Sequence, residues 1–137
     1  MTLNLIVVFD KTHTKVLLCK RRKEPYLGLY NFVGGHVEDG EDGFSAAYRE
    51  LYEETSITKA DITLTHFMDL NYCLYDMVIE VYFGYLSEDI EVSGEENELL
   101  WLPKQQDYFD MTRFAGEGNM GHIMELIDQY ERGVPVH

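Results

Sequence analysis

The most constraining feature of this chain is a stretch near its middle, Phe44 to Thr55, that serves two unrelated faces at once. Wound as a helix, Phe44, Ala47, Tyr48, Leu51 and Thr55 fall within about 100° of one another, which predicts a stripe buried against a core. Glu50, Glu53 and Glu54 follow the spacing i, i+3, i+4 and share a second face, roughly 120° from the stripe. Three carboxylates on one face repel, and a like-charged i, i+4 pair alone costs about 0.2–0.5 kcal/mol. A merely solvated face usually intersperses lysine or arginine, yet Arg49 is the only nearby cation on the helix. Such a face either stays solvated or offers oxygen ligands to a hard divalent cation.

The residues before the helix favour the second reading. Gly34-Gly35 allows a tight backbone turn and close approach to a phosphate or metal. Gly40 and Gly43 flank Glu41 and Asp42, two acids suited to the positive end of a helix.

Around this segment the chain alternates strands and helices. Leu3 to Phe9 reads as a buried strand and Val16 to Cys19 as a second, its hairpin partner, with a basic cluster at Lys20 to Lys23. Tyr30 to Val33 reads as a short strand entering the glycines. Ile62 to Leu70 and Met77 to Tyr85 read as strands, the latter placing Met77, Ile79, Val81, Phe83 and Tyr85 on one face and Val78, Glu80 and Tyr82 on the other. Glu88 to Glu98 is an acidic loop, and Leu99 to Leu102 a strand stopped by Pro103. Met120, Ile123, Met124, Ile127 and Tyr130 define a C-terminal amphipathic helix. This order predicts an α/β fold with a mixed β-sheet between helices, over residues 1–137 as a single domain.

The net charge of −14 makes nucleic acid and anionic membrane surfaces poor partners. A small anionic substrate approaches such a protein only when cations intervene. Cys19 and Cys73 sit in apolar stretches without metal-type spacing and read as two reduced core thiols of a cytoplasmic protein. The apolar N-terminus has no basic region before it and reads as a strand, not a signal peptide. No stretch reaches the ~20 apolar residues of a membrane helix.

The string Gly35, five residues, Glu41, seven residues, Arg49-Glu50-Leu51-Tyr52-Glu53-Glu54, then Thr55-Ser56-Ile57, resembles the signature of the Nudix hydrolases, G-x5-E-x7-R-E-U-x-E-E-x-G-U. One position departs: Ser56 stands where the family has glycine, just past the helix. A left-handed conformation there costs a non-glycine residue roughly 1–2 kcal/mol. Every charged position is kept.

The resemblance implies a Nudix-type α/β/α sandwich. It also implies Glu50, Glu53, Glu54 and the carbonyl of Gly34 as ligands for Mg²⁺, with Mn²⁺ as a substitute. Arg49 and Glu41 orient the carboxylates, and Glu50 or Glu53 helps deprotonate the attacking water. A further acid from a later loop is expected five residues before a tryptophan. Glu96 stands five residues before Trp101, with Glu95 and Glu98 as alternatives.

Gly28 to Gly35 is similar to the stretch before the signature in the MutT-like branch, which hydrolyses nucleoside triphosphates, often oxidised purines such as 8-oxo-dGTP, to monophosphate and pyrophosphate. On that likeness Asn31 bonds the base, although an asparagine there can equally bond its own backbone. Arg21 and His36 can contact phosphate, or serve only solubility. Tyr26 and Tyr30 can stack on a base or pack in the core. The run Asp107 to Asn119, with Phe114, Glu117 and Asn119, resembles a segment that closes the base pocket in some relatives. The expected substrate is a small-molecule nucleotide, first a nucleoside triphosphate. A nucleotide sugar, ADP-ribose or a dinucleoside polyphosphate is the alternative, and a non-catalytic nucleotide sensor a third. Oligomeric state stays open, a homodimer included.

Overall fold

A computed structural model describes residues 1–94 and 96–133. Six strands form one mixed sheet between two helices: β1 Thr2–Phe9, β2 Lys15–Lys20, β3 Tyr30–Phe32, α1 Gly43–Thr55, β4 Thr65–Tyr72, β5 Met77–Tyr85, β6 Glu98–Pro103 and α2 Asn119–Glu131. The sheet order is β3-β2-β1-β5-β4, with β6 pairing β2. The expected β1–β2 hairpin is closed only at Phe9 and Val16. The main partner of β1 is β5, paired in parallel from Thr2 opposite Val78 to Phe9 opposite Tyr85. β2 pairs antiparallel with β6 along its whole length.

The divergence of β1 from β2 makes room for β3 and the residues after it. β3 pairs with β2 from Leu18 to Lys20. The chain then crosses onto β1, where Ile6 N donates to Val33 O at 2.8 Å, Asn4 N to Gly35 O at 2.9 Å and Val37 N to Thr2 O at 2.9 Å. Gly34-Gly35 is thereby laid along β1, with seven residues between it and α1.

Strand alternation divides the core into two layers. Val7, Phe9, Leu18, Phe32, Val81 and Phe83 pack under Met120, Ile123 and Ile127 of α2. Ile6, Val8, Leu17, Val33 and Tyr82 pack under Ala47 and Leu51 of α1. The α/β/α sandwich expected from the sequence is thus present, and the two faces of β5 divide as its pattern requires.

Four local readings need correction. Phe44 is 41% exposed and does not join the buried stripe; it lies edge-on to Tyr82 at 5.2 Å, where the first turn of α1 overhangs the sheet, and Ala46 is buried in its stead. Cys73 is exposed, because it starts the 3₁₀ turn Cys73–Tyr75 at the tip of the β4–β5 connection; Cys19 is buried. Ile62 precedes the strand and makes only an isolated bridge to Leu86, so β4 starts at Thr65. Tyr130 is exposed at the end of α2.

Candidate active site

α1 is built to present its acids. Asp42 caps it, its side chain accepting from Ser45 N at 3.2 Å. The helix ends at Ser56, whose φ of 69° is the left-handed conformation that glycine would adopt freely. The Ser56 N–H still closes on Tyr52 O at 2.8 Å, and its hydroxyl lies 3.1 Å from that of Ser93. The departure from the family signature therefore leaves the end of the helix formed.

Arg49 organises the charges. Its Nε and Nη2 donate to the Glu41 carboxylate at 2.7 and 2.9 Å, a two-pronged contact. Nη1 donates to Glu50 at 3.1 Å and Glu53 at 3.3 Å, and Nη2 also donates to the His36 carbonyl at 3.0 Å. The Arg49 hydrogen bonds hold the Glu41 pKa down to about 2. Glu50 lies against the glycines: a Cβ built on Gly35 would stand 2.3 Å from its carboxyl carbon. Glu54 Oε2 accepts from Gly34 N at 3.3 Å.

Glu50, Glu54 and Gly34-Gly35 are therefore brought together. Glu53 turns outward, its side chain 57% exposed. The carboxylates of Glu50, Glu53 and Glu54 do not all converge to within 4.8 Å of one another as ligand atoms. Among the described residues only His66, Asp69 and Glu80 do so. Arg49 Nη1 holds Glu50 and Glu53, while Glu54 turns to the Gly34 N–H, so the three acids have different partners. The His66 group lies by the other end of α1, where Glu80 abuts Gly43.

Glu54 is the electrostatic anomaly of the site. Burial pushes its pKa up to about 7; the Gly34 N–H opposes this, while the charges of Glu50 and Glu96 add to it. Glu96 is thus near enough for its charge to act on Glu54. Glu98 sits in β6 opposite Lys20, and Glu95 lies outside the described residues. A half-buried carboxylate pushed toward neutrality first by burial and then by two neighbouring acids gains from a cation beside it. Oxygen donors gathered around it fit a hard divalent ion.

This corner opens into a cavity of about 750 Å³ that runs from Gly34, Gly35 and Glu54 past Cys19 to Tyr72, Tyr75 and Ala115. Arg21, Asn31 and His36 line it; Tyr30 does not. Tyr30 shares the face of Phe32 on β3 and lies against Phe114, 6.1 Å between ring centroids. Asn31 Oδ1 accepts from Phe32 N at 2.9 Å, which leaves its NH₂ group for a ligand. Arg21 Nε donates to Pro25 O at 2.7 Å. The segment before α2 closes one side: the Tyr26 hydroxyl donates to the Glu117 carboxylate at 2.7 Å, and the Asn119 amide bonds the Tyr72 hydroxyl. Sequence reasoning missed Tyr72 and Asn4. Nothing in the sequence ties the end of β4 to α2. Asn4 does carry a signal, a polar residue inside an apolar run.

The profile of the NUDIX domain matches residues 3–116, and the chain belongs to that family. In a segment of 61 residues it is 36% identical to an RNA pyrophosphohydrolase of Aliivibrio fischeri, covering 44% of this chain and 34% of that protein. Over 43 residues it is 44% identical to an ADP-ribose pyrophosphatase of Methanocaldococcus jannaschii, covering 31% of this chain and 25% of that one. The matches thus span about a third or less of these relatives' own length. In fold it is similar to a C. elegans Ap4A hydrolase solved as a binary complex, with a TM-score of 0.76 and 23% identity over 96% of this chain and 98% of that one.

Proposed function

We propose that this protein is a divalent-cation-dependent pyrophosphohydrolase that cleaves a nucleoside triphosphate, an oxidised purine nucleotide included, to the monophosphate and pyrophosphate. The observation that carries this is the meeting of Glu50, Glu54 and Gly34-Gly35 at one end of a cavity large enough for a nucleoside. Glu50, Glu53, Glu54, Glu96 and the Gly34 carbonyl would hold Mg²⁺, or Mn²⁺ in its place. Bound there, such an ion neutralises phosphate charge and lowers the pKa of a water.

The chain's own groups do the rest. Arg49 and Glu41 position the carboxylates. Glu50 or Glu53 takes the proton of the water as its oxygen bonds to one phosphorus. The bridging P–O bond breaks and pyrophosphate leaves with that electron pair. Arg21 and His36 lie along the cavity where phosphates would pass, and the free Asn31 amide can bond a base edge. Among the described residues no helix is long and apolar enough to cross a membrane. A single domain over residues 1–137 and a cytoplasmic setting belong to the same proposal.

A second reading keeps the chemistry and changes the leaving group to a sugar phosphate or second nucleotide, as with ADP-ribose or a dinucleoside polyphosphate. The segment shared with the M. jannaschii protein supports it. Turnover with Mg²⁺ against nucleoside triphosphates, ADP-ribose, dinucleoside polyphosphates and a 5′-triphosphorylated RNA, with products identified by mass spectrometry, separates these. Pyrophosphate from a triphosphate is the expected result. Release of orthophosphate alone, or no cleavage, defeats the proposal.

A further inference from the structure

β1 faces α1 with Asn4, Ile6 and Val8. Ile6 and Val8 are core residues, and strand alternation asks for another apolar side chain at position 4. The chain instead buries an asparagine there, 1% exposed. Its Oδ1 accepts from Gly35 N at 2.8 Å, while its Nδ2 has no partner among the described residues. The hydrogen bond that this side chain makes is the one through its acceptor oxygen to the Gly35 N–H. The Gly35 N–H also fixes which way round the amide sits, since only the oxygen can receive it.

That N–H belongs to the trans Gly34–Gly35 peptide, whose other end is the Gly34 carbonyl. A peptide is planar, so its N–H and C=O point in opposite directions. Holding the N–H on Asn4 turns the Gly34 carbonyl away from β1. Asn4 grips the loop once more, its own N–H donating to Gly35 O at 2.9 Å, and the two chains lie so close that its carbonyl oxygen stands 2.1 Å from where a Cβ on Gly34 would be. The loop can lie this close to β1 only as glycine.

We infer that Asn4 is a positioning residue of the metal centre, presenting the Gly34 carbonyl to the cation by anchoring the far end of the same peptide. This rests on the metal site proposed above. It assigns a role to a residue outside the Gly35–Ile57 signature and on another element.

The test is Mn²⁺ binding to the full chain, read from the electron paramagnetic resonance of free Mn²⁺, with melting temperatures taken in EDTA. Asn4→Leu continues the apolar stripe; Asn4→Ser replaces it should leucine not be accommodated. The expected result is a Kd weakened about tenfold, with the metal-free melting temperature near that of the wild type. Glu54→Gln reports on the site itself. If it loses binding while the Asn4 variants keep the wild-type Kd, the role of Asn4 is wrong and the metal centre stands. If all variants bind as the wild type does, the metal centre is misplaced and this inference falls with it. Weaker binding joined to a large drop in metal-free melting temperature marks a merely structural asparagine and also overturns it.

Discussion

Glu54 and Asp10 are carboxylates shifted in opposite directions, and each shift sets a dependence on pH. Burial and the charges of Glu50 and Glu96 carry Glu54 from 4.5 to about 7. Between those values the folded state binds a proton that the unfolded chain releases, so metal-free stability falls as pH rises through that window. Glu54→Gln should therefore melt above the wild type in EDTA at pH 8, while losing Mg²⁺-induced stabilisation and at least a hundredfold of turnover. Thermal melts with and without Mg²⁺ check both halves. Burial also pushes Asp10 up, but the N–H groups of Lys15 and Thr14 at 2.9 and 2.8 Å and the hydroxyls of Thr12 and Thr14 outweigh it, holding the carboxyl below 3.8. Its stabilising contribution is present above the unfolded value and is lost as pH falls through the folded one. In urea denaturation, the advantage of the wild type over Asp10→Asn should be constant at neutral pH and should narrow below pH 3.8.

At the scale of the element, α1 was the part most open to sequence reasoning, because its caps, buried stripe and acidic face are set by neighbours within a few turns. Asp42 caps it, Ala47, Leu51 and Thr55 are buried, and Ser56 takes the strained left-handed position. Helical spacing misplaces Phe44, since it assumes a core under every turn, and in the first turn Phe44 lies edge-on to Tyr82 and stays exposed. It also placed Glu50, Glu53 and Glu54 on one face without showing that Glu53 is left largely exposed while Glu54 turns to the Gly34 N–H. Asn4 and Tyr72 stayed hidden for another reason: their partners, Gly35 and Asn119, are distant in sequence and meet only through tertiary pairing. Ser56→Gly should relieve the end of α1. The gain is about 0.5–1 kcal/mol in denaturant, less than the full left-handed penalty because glycine also loosens the unfolded chain and the contact with Ser93 is lost. No gain would show that Ser56 is unstrained.

For the whole molecule, the sandwich followed from the order of apolar segments, but the parallel pairing of β1 with β5 did not, because strand patterns carry no partner identity. That pairing opens β1 to the segment after β3 and so sets the glycine loop beside α1. A net charge of −14 spread over this fold repels itself. Raising NaCl from a few millimolar to about 0.15 M, where the screening length is near 8 Å, should raise the melting temperature. MgCl₂ at matched ionic strength should raise it further, and equal curves for the two salts would count against a specific cation site.

Arg49 gives α1 a positive charge of its own. It touches Glu41, Glu50 and Glu53 from within the chain, so the helix is never left to face its acids alone. A protein provisioned in this way should survive stripping: after EDTA its circular dichroism should be unchanged, and full turnover should return within mixing time of added Mg²⁺. The ion would then be a tenant of the fold and no part of its foundations, free to come and go with supply while the site keeps its shape.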